Sequence, residues 1–495
     1  MSVSDLAIVA ALIFAWGAVS SRLQRFDVTA PIIFVIAGLV LTHGPLGALG
    51  FAPSNETVKV LAEATLVLVL FSDASRVGLR DLRAELGLCL RLLGIGLPLT
   101  IGLGMLLALA LFGHINVWLA LLIGAALAPT DAALGAGVML NRAVPARIRR
   151  LLNLESGLND GIVTPFVLVA VAGAGTAAHE AATGPGGAVA ELALGLVVGV
   201  VVGGVGGWLV RQGSRRDWVA EGFAGAAVLG LAVCAYASAV ALHGNGFIAA
   251  FTGGLAFAST AARRGEPLVP FVEETGALVS LLVWLAFGAI AVAPVLEHLT
   301  WQLVVYAVLS LTVVRMAPVA LALIGAKLGW PTVAFVGWFG PRGLASVVFA
   351  LLALEDLGEK AASPAVAAIT ATVLLSVIAH GVSAEPLARR YGAVSTPAGT
   401  PPDSSAPPEP EVPTRRLTRL SDYQVSSISS SVPSSSTSNS TFRWTRSGTW
   451  ATNRRSARSI TTSLLEESSS AMACRRAAAS SRESDTFSFN SISST

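Results

Sequence analysis

The apolar positions of this chain come in long unbroken runs, without the alternation of a half-buried strand or the three-to-four spacing of a soluble amphipathic helix. Runs approaching the roughly 20 residues needed to cross a bilayer core recur near 4–20, 29–42, 58–74, 92–112, 117–140, 154–175, 187–210, 219–241, 246–260, 272–295, 301–325, 331–353 and 363–383. The second and ninth are short. Backbone amides in hydrocarbon must find partners within their own segment, so each run predicts a helix. Together the roughly thirteen runs predict an all-α, multi-pass membrane protein.

The basic residues test that partition, because Lys and Arg gather on cytoplasmic loops. Arg22, Arg25, Arg76, Arg80, Arg83, Arg91, Arg142, Arg147, Arg149, Arg150, Arg211, Arg215, Arg216, Arg263, Arg264 and Lys327 fall on odd-numbered loops, and Arg389 and Arg390 follow the last run. Even-numbered loops carry only Lys59 and Lys360. A missed or invented span would scramble this division of roughly eighteen against two. The expected topology has the N-terminus outside and the C-terminus in the cytoplasm, with the spans in the plasma membrane.

The pattern ends near residue 395. Residues 1–390 form the expected transmembrane domain. Residues 396–495 are Pro-rich at 401–413 and Ser-rich at 426–440. With no apolar periodicity to bury, they are expected to be a disordered Ser/Pro/Arg-rich cytoplasmic tail.

Composition adds exclusions. The chain is 54% hydrophobic and 13% charged, with a mean hydropathy of +0.70, which excludes a soluble enzyme. The formal net charge of +3 arises in short clusters between apolar runs, so membrane lipid, and no nucleic acid, is the expected partner. Cys89, Cys234 and Cys474 lie too far apart for a disulfide framework or a zinc site. His43, His114, His179, His243 and His298 fall on outward loops and read as scattered interfacial residues. No cofactor is expected.

Thirteen spans divide into six, a linker and six, which sets span n antiparallel to span n+7. That is the geometry of an inverted repeat. Span five contains Ala128-Pro129-Thr130-Asp131, and its partner, span twelve, contains Gly340-Pro341-Arg342-Gly343. Paired Pro/Gly interruptions at matching places in two halves point to an ion site, and each break here also carries a charge.

Span six begins Leu154-Glu155-Ser156-Gly157-Leu158-Asn159-Asp160-Gly161. Each carboxylate is costly near the membrane centre. On a helix Ser156 and Asp160 share one face, while Glu155 and Asn159 share another about 100° away. One face can hold a cation while the other locks the scaffold. A hard monovalent cation wants oxygen ligands, which Asp160, Ser156 and the carbonyls freed around Thr130 supply. Glu155 alone also reads as a charge at a helix N-terminus. Asp73 either borders the ion pathway or is interfacial. Asp131 is expected to cap the half-helix that restarts after its own break, and Arg342 to offset the negative end of a broken helix. Arg315, in the middle of span eleven, needs a permanent anion; Glu155 is the preferred partner, with Arg342 as the competing cation.

The Glu155–Gly161 stretch resembles the signature of the monovalent cation:proton antiporters, in their Asn-Asp sodium/proton exchanger branch. Ala128–Asp131, Val314-Arg315 and Gly340–Gly343 resemble that family's other intramembrane motifs in the same order. The resemblance covers about residues 1–390. It implies a homodimeric thirteen-helix antiporter, with a dimer domain and a moving core in which spans five and twelve are broken and cross. It also implies that Asp160 carries the ion, Asn159 supports it, Ser156 and the Thr130 backbone assist, and Glu155 pairs with Arg315. Asp73 stands where the family often has Glu or Asp, and Ala132 where the branch commonly has Pro.

The expected function is therefore exchange of sodium or lithium for protons, one-for-one, by alternating access at Asp160. Potassium in place of sodium is the near alternative, and a cation channel without proton coupling is the alternative from another class. An intramembrane hydrolase would need a nucleophile with its base or two facing carboxylates. No span offers a Ser/His pair, and Asn159 takes the place of a second carboxylate.

Overall fold

The computed structural model describes residues 3–395 apart from 24–28, 44–54, 78, 132–133, 135, 140, 142, 177–184 and 262–268. The expected tail at 396–495, the loop residues Arg25, Arg142, Arg263 and Arg264, and His179 lie outside the described residues. All described residues fall in one compact unit, Met1–Arg419.

No strand occurs among them. The helices are α1 (Val3–Leu23), α2 (Ala30–His43), α3 (Asn55–Ser75), α4 (Leu79–Arg91), α5 (Leu97–Leu111), α6 (Val117–Ala126), α7 (Ala136–Met139), α8 (Ala146–Thr176), α9 (Pro185–Arg215), α10 (Glu221–Ala241), α11 (Gly246–Ala261), α12 (Val269–Phe287), α13 (Ala293–Glu297), α14 (Trp301–Leu311), α15 (Val313–Ala322), α16 (Trp330–Trp338), α17 (Leu344–Leu357) and α18 (Glu359–Ser395). Seven stretches are long and apolar enough to cross a membrane by themselves, and four shorter apolar helices accompany them. Each predicted span coincides with one helix or with helices separated by an interruption.

The interruptions have local causes. One turn of π-helix at Leu92–Gly96 joins α4 to α5, and another at Gly288–Val292 joins α12 to α13. Pro98 and Pro294 follow these turns directly. A proline ring has no N–H to donate and crowds the carbonyl four residues back, and a wide turn just before it relieves both. Helix boundaries also exceed the apolar runs. α8 begins at Ala146 where the run begins at 154, and α18 continues to Ser395 where the run ends at 383. Both extensions are arginine-bearing turns held by carboxylates: Arg147 pairs with Glu85 at 3.0 Å and Arg389 with Glu385 at 2.6 Å. An apolar run marks the hydrocarbon, while the helix goes on into the interface.

Packing depends on small residues. Along α9, Gly195, Gly199, Gly203 and Gly207 recur every four residues, so all four lie on one face. A Cβ at each would collide with Asn245, Ala249 and Thr252, Gly253, or Thr260 respectively, the residues that open α11 or lie along it. Gly38 of α2 and Gly288, in the π-turn after α12, meet in the same way, each against the other helix's backbone. In lipid, where apolar side chains gain little by leaving their surroundings, such backbone approach is a main source of helix association.

Candidate functional site

Spans five and twelve are both broken, and the breaks meet. α6 stops at Ala126, and Ala128–Asp131 lie outside any helix; the single turn of α7 begins at Ala136. α16 stops at Trp338, and α17 starts at Leu344 after Pro341. The two unwound segments touch where the Asp131 N–H donates to the Pro341 carbonyl at 2.8 Å.

Each break is closed by the charge of the other. Arg342 Nη1 donates to the carbonyls of Ala128 at 2.7 Å and Pro129 at 3.1 Å, groups left without partners where α6 ends. Asp131 Oδ2 accepts the Leu344 N–H at 3.0 Å, one of the open donors at the start of α17. The sequence pattern assigns Asp131 to the half-helix restarting in its own span, whose first residues lie outside the described ones; the structure adds a cap on the half-helix of the opposite span. The crossing brings α17 to it, a tertiary juxtaposition that a linear pattern does not contain. The two glycines of Gly340-Pro341-Arg342-Gly343 follow from the same crowding. A Cβ on Gly340 would run into the Arg315 guanidinium, and one on Gly343 into the Asp131 carboxylate.

α8 supplies the rest. Because it begins at Ala146, Glu155 lies well inside the helix, and the reading of Glu155 as an N-terminal charge is corrected. Its Oε1 meets Arg315 Nη1 at 2.7 Å, both side chains being 3% exposed. Arg342, the competing cation, is occupied at the α6 terminus. Asn159 Nδ2 donates to Thr130 Oγ1 at 2.8 Å, and the Ser156 hydroxyl donates to the Thr130 carbonyl at 2.5 Å. Thr130 is thus held at both side chain and backbone by successive turns of α8.

Ser156 and Asp160 face a cleft of about 500 Å3, part of it open, whose walls also include Asp73, Arg76, Asp131 and Asn153. Asp160 is 7% exposed. Asp73 reaches the cleft where α3 passes α8 at Gly157, its carbonyl 3.6 Å from where a Gly157 Cβ would stand, an ordinary contact distance. Arg76 and Asn153 lie at the end of α3 and in the opening turns of α8, beside the arginine-bearing loops, so the cleft opens toward the end assigned to the cytoplasm. Among the described residues no group of three or more His, Cys, Asp or Glu side chains is placed to hold a resident metal ion. Around Asp160 the chemistry is that of oxygen donors: a carboxylate, a hydroxyl and a backbone carbonyl exposed by a helix break. Such donors suit a hard cation or a proton.

Two groups escaped the sequence pattern. Arg76 reads there as a loop charge, whereas it pairs with Glu273 of α12, itself buried. A carboxylate opening the apolar run at 272–295 was the signal. His380 lies within the run at 363–383 and is 2% exposed; a lone histidine inside an apolar stretch was the signal there. Its Nδ1 is 3.1 Å from the Ser376 hydroxyl one turn away, so the expectation that no span offers a Ser/His pair is corrected.

Comparison with known proteins extends the geometry. The family profile described as sodium/hydrogen exchanger, transmembrane, matches residues 8–390. The chain is 23% identical over 363 residues to the K(+)/H(+) antiporter NhaP2 of Shewanella oneidensis, covering 71% of this chain and 61% of that protein. It thus spans less than two thirds of that relative's length. It is 29% identical over 221 residues to an uncharacterised Na(+)/H(+) exchanger of Mycobacterium bovis, covering 43% of this chain and 38% of the relative. Its fold is similar to that of the sodium proton antiporter MjNhaP1 from Methanocaldococcus jannaschii at pH 8, with a TM-score of 0.65, 18% identity, and coverage of 79% of this chain and 99% of the other.

Proposed function

Because the chain belongs to the transmembrane sodium/hydrogen exchanger family, we propose that it exchanges sodium or lithium for protons across the membrane, with Asp160 as the carrier. One observation carries this reading: Asp160 and Ser156 share a cleft with Asp131 of the unwound segment, where the two broken helices meet, and the Ser156 hydroxyl donates to the Thr130 carbonyl next to it. A carboxylate there accepts a proton or a cation, one at a time. If the barrier is crossed only with Asp160 occupied, inward proton movement drives outward cation movement, and the exchange is one-for-one and electroneutral. A cleft open on the cytoplasmic side is the inward-facing half of that cycle, and the opposite half requires one helix bundle to move against the other. Ser156 and the Thr130 carbonyl complete the cation's shell, Asn159 holds Thr130, and Asp73 adds negative potential at the entrance. The working unit is a homodimer.

A second reading replaces sodium by potassium. It is favoured by the similarity to a protein named as a K(+)/H(+) antiporter.

The deciding experiment uses purified full-length protein in liposomes with a preset pH difference and an internal pH dye, adding lithium, sodium and potassium in turn. Recovery of internal pH on sodium or lithium, unaffected by clamping the membrane potential, is expected. Recovery on potassium alone selects the second reading. Cation flux without proton movement selects a channel, and no response to any of the three ions overturns antiport.

A further inference from the structure

The break after α16 is anchored on α18 by a polar seam outside the ion cleft. Ser376, His380 and Ser383 stand at i, i+4 and i+7, one face of a helix. The Ser376 Oγ accepts the backbone N–H of Arg342 at 2.7 Å. His380 Nε2 lies 3.0 Å from the carbonyl of Trp338, the last residue of α16. Its Nδ1 lies 3.1 Å from the Ser376 hydroxyl and 2.9 Å from the Ser376 carbonyl. The imidazole stacks on the Trp338 indole with ring centroids 5.2 Å apart, and the indole N–H donates to Ser383 Oγ at 2.9 Å.

Each ring nitrogen faces a carbonyl that only accepts, but Nδ1 also has the Ser376 hydroxyl, which can donate to it. The neutral tautomer that serves the Trp338 carbonyl carries its hydrogen on Nε2 and lets Nδ1 accept from the Ser376 hydroxyl. The bonds then run in one direction, from the Arg342 N–H to the Ser376 oxygen, from the Ser376 O–H to His380 Nδ1, and from the His380 N–H to the Trp338 carbonyl. Both ends of the unwound segment between α16 and α17 are held by this chain. Arg342 is also the residue whose guanidinium holds the Ala128 and Pro129 carbonyls. The next residue is Thr130, whose hydroxyl and carbonyl meet α8 beside Asp160.

We propose that His380 is a positioning residue for the cation site. Acting through Ser376 and Arg342 from the far side of the helix crossing, it fixes where the Thr130 carbonyl stands. The proposal rests on the reading of Asp160 and Thr130 as the cation site.

The test measures apparent KM and Vmax for the cation that drives exchange in liposomes, using full-length His380→Gln, His380→Phe and His380→Ala. Glutamine keeps an N–H that reaches the Trp338 carbonyl; phenylalanine keeps the stacking on Trp338 and loses that donor. For Phe and Ala, KM is expected to rise by about tenfold, the equivalent of one lost hydrogen bond to a buried acceptor, with Vmax little changed. Gln is expected to restore KM to near that of the parent. A residue important only for folding would lower yield and melting temperature in step with Vmax and leave KM alone. If Ala does not fold, the Gln and Phe pair decides. A parental KM in folded Phe, or equal KM values in Gln and Phe, overturns the positioning role while leaving the exchange reading intact. A parent protein with no cation-coupled flux overturns both.

Discussion

Two carboxylates on α8 stand five residues apart, about 7.5 Å along the helix axis, and are buried to nearly the same degree, Glu155 at 3% and Asp160 at 7% exposure. Their surroundings differ completely. Glu155 faces Arg315 in a contact as secluded as itself, and its charge is balanced by a cation that never leaves. Asp160 faces a cleft, with the Ser156 hydroxyl and Asp131 of the unwound segment among its walls. If Asp160 is the carrier proposed above, burial alone does not separate a structural charge from a working one. The two differ in what borders them: the buried Arg315 guanidinium for Glu155, and for Asp160 a cleft lined by Ser156, Asp131 and Asp73.

Erasing the working side of that contrast gives the largest expected effect. Asp160→Asn keeps shape and removes the alternating charge, so cation-driven proton flux in liposomes is expected to fall to the level of empty vesicles while the melting temperature stays close to the parent's. Coupled flux in the folded variant would take Asp160 out of the mechanism.

The fixed side breaks differently. Arg315→Ala leaves Glu155 buried and uncompensated, at an expected cost of about 3–5 kcal/mol in stability, read as a large drop in detergent melting temperature and in yield. Glu155→Leu combined with Arg315→Met should recover part of it. An Arg315→Ala protein of normal stability with altered cation affinity would move the pair to the transport side of the comparison.

Asp131 touches both sides, since it lines the cleft and caps α17. Asp131→Ala is expected to lose about 1 kcal/mol of stability through the cap, and Asp131→Asn, which still accepts the Leu344 N–H, to regain most of it. Equal melting temperatures for the two would show that the cap contributes little.

The mildest case is an ion pair without burial. Lys59 and Asp356 meet at 2.9 Å with both side chains more than a third exposed. Lys59→Gln is expected to change stability by no more than about 0.5 kcal/mol. A larger loss would mean that enclosure is not what distinguishes the Glu155 pair.

Much of this was legible in the sequence. Apolar runs located each span, and the charges that interrupt them, from Glu155 to Arg342, marked the residues that meet at the crossing. Which charge meets which was less legible. Arg315 and Arg342 were both open as partners for Glu155, and only the crossing of the two breaks shows that Arg342 is engaged by the end of α6. Asp131 was assigned to its own span for the same reason. His380 lies within an apolar run; its partner Ser376 is one turn away, but Trp338 and the Arg342 N–H that Ser376 holds lie beyond any local window. Helix ends were misread because hydropathy registers the bilayer and not the backbone, so the arginine-rich first turns of α8 fell outside the predicted span.

The four glycines of α9 bear on how such a molecule deforms. Where glycine backbone meets backbone or a short threonine side chain, few rotamers can adjust, so the α9–α11 contact is stiffer than one made of longer side chains. One such contact is beside Asp160, where the Phe251 ring of α11 lies on Gly161 of α8. A flat ring against a bare backbone has no interlocking side chains, so this contact between α11 and the helix that bears the carboxylate resists sliding less than the one between α9 and α11.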